Sequence, residues 1–180
     1  MKAVLRFVFW LIICELVVIV QFFIIDFFLY PFNLINFIFV FLFLLFIFTT
    51  VVKTIWLIIP ISLILESFSS SFFAAGSLAF FFSLLIVGFL LFKFFTSHSG
   101  FVVLLSSTLG MILFHVFYFL FSNAINVAQK KDFLWPMGDF FKESAWEISF
   151  TSLFITTIYV LLLKFNRRFN PSYIYKNEKK

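Results

Sequence analysis

Three ionisable side chains fall inside or at the end of long apolar runs of this 180-residue chain: Glu15, Glu66 and His115. A charged group at the middle of a lipid bilayer costs roughly 2.5–3.5 kcal/mol on insertion scales, so each must sit near an interface, lose its charge or find a partner. Glu66 ends one apolar run and opens a polar cluster, ISLILESFSSSFFAAG, in which Ser69, Ser70 and Ser71 could donate their hydroxyl hydrogens to it. Both acids admit two roles: a carboxylate that caps or bridges helices, or a group that relays protons or transports a solute. Two acids without basic partners in the same runs speak against a proton pump. His115 could relay protons, bind a metal or hydrogen-bond to a neighbouring helix; with no Cys, Asp or second His near it in sequence, the last is the expectation.

Other reactive residue types are sparse. Ser97, His98 and Ser99 have the chemistry of a serine hydrolase, but a nucleophile needs a base held against it from another element. Here all three fall in a short hairpin between two apolar runs. The single cysteine, Cys14, has no disulfide partner and belongs to no thiolate cluster, so it is expected to be a small packing residue. No enzymatic site, metal site or cofactor is expected.

The elements that would hold these residues are helices in lipid. The chain is 64% hydrophobic and 12% charged, far from the roughly 45–50% and about 25% of soluble domains. The reading is an all-α polytopic membrane helix bundle, one transmembrane domain over 1–180. A span needs ~20 apolar residues, which lays out about six: 4–25, 32–52, 54–68, 72–92, 101–121 and 147–163. The first has the basic start of a signal peptide, but its apolar run passes Val20 with no cleavage site, so it is read as a retained helix. Pro60 interrupts the third span and can kink it. The 35 Phe are read as interchangeable large apolar positions. Small residues recur every four positions at Ala75, Ala79 and Ser83 and again at Ser106 and Gly110, a spacing that lets membrane helices approach closely. Ser149, Ser152 and Thr156 form a hydroxyl face on the sixth span.

The net charge of +5 would suit nucleic acid only if it were clustered, and it instead flanks the apolar runs. With the N-terminus inside, ten of the 13 Lys and Arg fall on the cytoplasmic side, and Lys130, Lys131 and Lys142 fall outside. The positive-inside rule therefore places both termini in the cytoplasm. The stretch 122–146 is read as an outer loop, with Trp135 and Trp146 either anchoring it in the headgroup zone or docking a partner. The basic tail, 164–180, faces the cytoplasm, where anionic lipid could bind it.

The run VIVQFFIIDFFLYPFNLINFIFVFLFLLF, followed by LILESFSSSFFAAGSLAFFFSLLIVGFLLF, resembles the MreD family of bacterial rod-shape-determining membrane proteins. In that family a first span ends near a glutamine, the second opens on a proline and polar residues, and a later span carries an acid before a small-residue turn. Gln21, Pro31 with Asn33, and Glu66 with Ser69, Ser70 and Ser71 fall in that order, and LLLKFNRRF fits the charged finish. The family acid is usually Asp and its turn usually contains Gly, so Glu66 and the three serines depart from the pattern. The resemblance implies a non-enzymatic scaffold in the bacterial cytoplasmic membrane. It would bind MreC and link MreB filaments to peptidoglycan synthesis, with lipids and a homo-oligomer as further partners. It also implies a likeness to the six-helix substrate-binding subunits of energy-coupling-factor transporters, which makes a small-molecule-binding subunit the alternative.

Overall fold

A computed structural model of the chain describes residues 2–30, 32–49, 51–68, 75–94, 99–131 and 138–165. Every regular element among these residues is helical: α1 (Lys2–Phe27), a 3-10 turn (Phe32–Leu34), α2 (Phe37–Phe48), α3 (Val51–Phe68), α4 (Ala75–Phe94), α5 (Gly100–Ala128) and α6 (Gly138–Phe165). Among the described residues, three stretches are long and apolar enough to cross a membrane: Phe9–Phe27 of α1, all of α5, and Phe140–Phe165 of α6. Large apolar side chains lie exposed on every helix outside the centre, from Phe9, Leu16 and Trp56 to Phe89, Phe101 and Leu153. Water does not tolerate so continuous an apolar surface on a monomer.

The centre is α2. Its sequence, FIFVFLFLLFIF, is apolar all round, and seven of its twelve residues are buried, as befits a helix with no polar face to present. It packs against α1, α3, α4 and α6, and through Phe39 it reaches Phe114 of α5. Phe39 and Phe43 are fully buried, and Phe80 and Phe114 close the cluster with ring centroids 4.4 Å apart. The phenylalanines therefore divide into two kinds. Phe39, Phe43, Phe46, Phe80 and Phe114 are keyed into one core, whereas Phe9, Phe27, Phe89 and Phe165 are exposed and match the interchangeable positions expected of all of them.

Helix limits differ from the expected spans where polar residues act locally. The second span was expected to start at 32; instead Asn36 caps α2 by accepting from the Phe39 amide, which leaves 32–34 as a 3-10 turn. Its far end stops at Phe48, where Thr49 is extended and its hydroxyl donates back to Leu45, so Lys53 belongs to α3. The stretch expected as an outer loop, 122–146, is helical at both ends. Helix α5 continues to Ala128 with Ser122, Asn123 and Asn126 buried, and α6 begins at Gly138. Asn123 donates to the Phe119 carbonyl, so its amide is satisfied within the helix. The chain leaves α5 through a Schellman turn: Lys130 takes a left-handed φ of 57°, Lys131 donates to Asn126, and Lys130 donates to Val127.

The small-residue stripes behave as packing faces. Ala75, Ala79, Ser83, Ser106 and Gly110 are all buried, and α4 and α5 make the most extensive helix pairing in the bundle. Ser83 and Ser106 donate to carbonyls of their own helices, so each hydroxyl is satisfied without a partner across the seam. Cys14 is fully buried in the same core, as expected of a small packing residue. Gly110 sits where α5 crosses both α2 and α4: a Cβ there would lie 2.9 Å from the end of the Phe39 ring and 3.3 Å from Val87. Phe39 has no exposed surface to move into. Gly110→Ala is therefore expected to destabilise the folded chain by about 1–3 kcal/mol despite the better helix propensity of alanine, measurable as a lowered midpoint of thermal unfolding in detergent.

Candidate functional site

A cluster of polar side chains meets at the N-terminus of α2. A helix leaves its first amides without intrahelical acceptors, and a twelve-residue helix, ~18 Å long, is too short to carry both ends out of a hydrocarbon core ~30 Å thick. Side chains from three elements supply the missing acceptors. Gln21 of α1 accepts from the Phe37 amide at 2.5 Å and the Ile38 amide at 3.4 Å, and its own amide donates to the Ile35 carbonyl at 3.2 Å. The Asn36 side chain accepts from Phe39 at 3.0 Å. Thr151 of α6 accepts from the Asn36 amide at 3.0 Å. Each of the four amides from Asn36 to Phe39 thus has a side-chain acceptor.

A second layer runs outward from this cap. The Asn36 side-chain amide donates to Glu147 Oε1 of α6 at 3.0 Å, which fixes the amide orientation, since the oxygen must face the helix and the nitrogen the carboxylate. Glu147 thereby lies near the positive end of the α2 dipole, a favourable place for an anion. Its other oxygen lies 3.3 Å from His115 Nε2 of α5, with the two side chains only 14% and 22% exposed. That pair is close but not aligned as a hydrogen bond, so its attraction is Coulombic and depends on the imidazole being protonated. On the other edge of the ring, Ser144 Oγ lies 3.5 Å from Nδ1, the outer limit of hydrogen-bond distance. The cluster therefore joins α1, α2, α5 and α6 through one carboxylate, one imidazole, two amides and two hydroxyls.

Of the expected site residues, the structure brings two, Gln21 and His115, to this cluster, where His115 faces Glu147 and Ser144 of α6. Glu15 stands elsewhere, exposed in the middle of α1. The backbone of Glu66 lies in the last turn of α3, where the sequence places it; its side chain, and Ser69, Ser70, Ser71 and Trp135, lie outside the described residues, as does His98. Trp146 is 41% exposed and stacks on Phe150 at 5.5 Å, whose ring meets Phe32 at 5.2 Å. On α6, Ser149 and Thr156 donate to carbonyls one turn back at 2.7 and 2.8 Å, and Ser152 does likewise. The expected hydroxyl face is thus spent within its own helix.

Four members of the cluster escaped the sequence reading: Asn36, Ser144, Glu147 and Thr151. Asn36 carried a usable signal, an N-cap residue directly before an unbroken apolar run. Glu147 and Ser144 were assigned to a loop edge by the 20-residue ruler, although α6 starts at Gly138 and carries both inside its apolar stretch.

Asn36→Ala removes a cap and the donor to Glu147 together, and Glu147→Ala removes the acceptor. Each is expected to cost about 1–3 kcal/mol. The double variant is expected to cost less than their sum by at least ~0.5 kcal/mol, the signature of a direct contact; unfolding of the four proteins in detergent supplies the cycle. Comparison of the chain with protein family models, with characterised proteins and with solved structures finds no match.

Proposed function

We propose that this chain is a non-enzymatic scaffold in a bacterial cytoplasmic membrane, similar in role to the MreD family: a six-span bundle with both termini in the cytoplasm that binds an MreC-like membrane protein and joins cytoplasmic filaments to cell-wall elongation. One observation carries the structural half of this reading. The side chains of Gln21, Asn36, Thr151 and Glu147, from three parts of the chain, are engaged in holding helices to the N-terminus of α2. Gln21, one of the residues on which the family resemblance rests, is the acceptor for two of those amides. Six spans require α2 to serve as a short span with ends inside the bundle, and the side-chain cap is what such a span needs.

The transport alternative is weaker on two counts. One of its supports beside Glu15, Glu66 and His115, the hydroxyl face of α6, is spent on α6 carbonyls. It also calls for a polar cavity, whereas the cleft between α1, the 3-10 turn and α6, about 330 Å³, is lined by Ile24, Phe28, Phe150, Leu153 and other apolar groups with only Thr157 to vary them.

A second reading has an observation of its own: Ser144, His115 and Glu147 stand in the order of a nucleophile, base and orienting acid. In that reading Glu147 would have to serve His115 while bound to Asn36, and the serine would have to close a 3.5 Å gap. Both readings meet in one set of measurements. Depletion of the protein in its native rod-shaped bacterium is expected to round the cells, and crosslinking in membranes to recover a bitopic elongation protein; normal shape after depletion contradicts the scaffold. A serine-directed fluorophosphonate is expected to leave the purified protein unlabelled, and labelling at Ser144 that disappears in His115→Ala would establish the hydrolase instead.

A further inference from the structure

Helix α1 presents two unlike faces. Cys14, Val17 and Val18 are buried against the bundle, whereas Phe9, Ile12, Leu16, Ile19 and Phe23 are each more than half exposed. Glu15 is exposed among them, one helical turn from both Ile12 and Ile19. It lies thirteen residues past the first residue of α1 and twelve before the last, so about 18–20 Å of helix extends on either side. No described side chain pairs with it. A carboxylate facing acyl chains at that depth carries the full insertion cost unless it is protonated or a donor or cation is brought to it.

Among the cations whose side chains are described, none forms an ion pair with Glu15. Lys130 and Lys131 follow the end of α5, Lys142 lies in the first turns of α6, and Lys164 lies in its last turn. A second copy of the chain, docked face to face across a two-fold axis, would set Glu15 against Glu15, and like charges in a low dielectric repel. Charge complementarity with apolar surroundings instead calls for an apolar helix that carries a single cation at its middle.

We propose that the outer face of α1, from Phe9 to Phe23, is the docking surface for a transmembrane helix of a different protein, and that a Lys or Arg at mid-depth in that helix pairs with Glu15. The apolar flanks, Ile12, Leu16 and Ile19, would give the contact area, and the carboxylate would set depth and partner choice, as polar groups do between helices in lipid. The proposal goes beyond the elongation role: it needs only that α1 lie in a membrane, and it holds equally if that role is wrong.

The test uses the full chain in a bacterial membrane, co-expressed with a tagged single-span polyleucine helix that bears one central Lys. The Lys helix is expected to co-purify with the wild-type chain, and an all-leucine helix is not. Glu15→Leu is expected to reduce capture about tenfold, the scale of interhelical polar contacts in lipid, while leaving thermal stability unchanged, because Glu15 is exposed and pairs with no described side chain. Ile19→Trp, which obstructs the face with the carboxylate intact, is expected to weaken capture as well. Glu15→Lys is expected to capture a polyleucine helix bearing Glu in place of Lys. Equal capture by the wild-type and Glu15→Leu chains would overturn the proposal. So would a Leu16→Cys chain that crosslinks to its own copy in place of binding the probe.

Discussion

The N-terminus of α2 has four backbone amides without acceptors in their own helix. In a hydrocarbon setting each unmet amide costs several kcal/mol, and α2 is too short and too buried to carry that end elsewhere. The fold answers with Gln21, Asn36 and Thr151, whose side chains reach the amides of residues 36 to 39 from two other helices and from the cap position itself. Because those acceptors sit on α1 and α6, capping one helix fixes the placement of two more. Glu147 and His115 extend the same constraint to α5.

Around this polar anchor the packing is apolar and close. Phe39 connects the two regimes: its amide is held by the Asn36 cap, and its ring fills the space left by Gly110 at the crossing with α5. A shift of α2 along its axis would break the cap and drive that ring into α5 or α4. Such double determination at one residue suits a rigid platform better than a gate. On the outer face of α1, by contrast, the exposed residues between Phe9 and Phe23 are apolar except Glu15.

Much of this was legible from the sequence, and the misses share a cause. Helical segments, the small-residue stripes at Ala75, Ala79, Ser83, Ser106 and Gly110, and the buried character of Cys14 follow from local spacing and from the need for close helix contact. His115 stands out because a polar residue in an apolar run demands a partner, and Gln21 stands out through the family resemblance. Their partners lie on other elements: Gln21 meets Phe37 and Ile38 across 16 and 17 residues and His115 meets Ser144 across 29, while Asn36 meets Glu147 and Thr151 across 111 and 115, and local pattern records none of these meetings. Counting about twenty residues per span also hid that α2 has only twelve. A helix that begins inside the bundle needs its first amides capped by side chains, so the expected length concealed the site. Attention fell instead on Glu66, whose charge was conspicuous, while Glu147 looked like the boundary of a loop.

The central claim is that Gln21, from a different helix, satisfies the first amides of α2 and so couples α1 to the core. Hydrogen–deuterium exchange of the detergent-solubilised protein, compared between wild type and Gln21→Leu, tests it most directly. The account predicts faster exchange in peptides covering Phe37 and Ile38, together with lost protection in the facing turn of α6 around Glu147 and Thr151. Unchanged exchange at Phe37 and Ile38 in a Gln21→Leu protein of wild-type stability would contradict it.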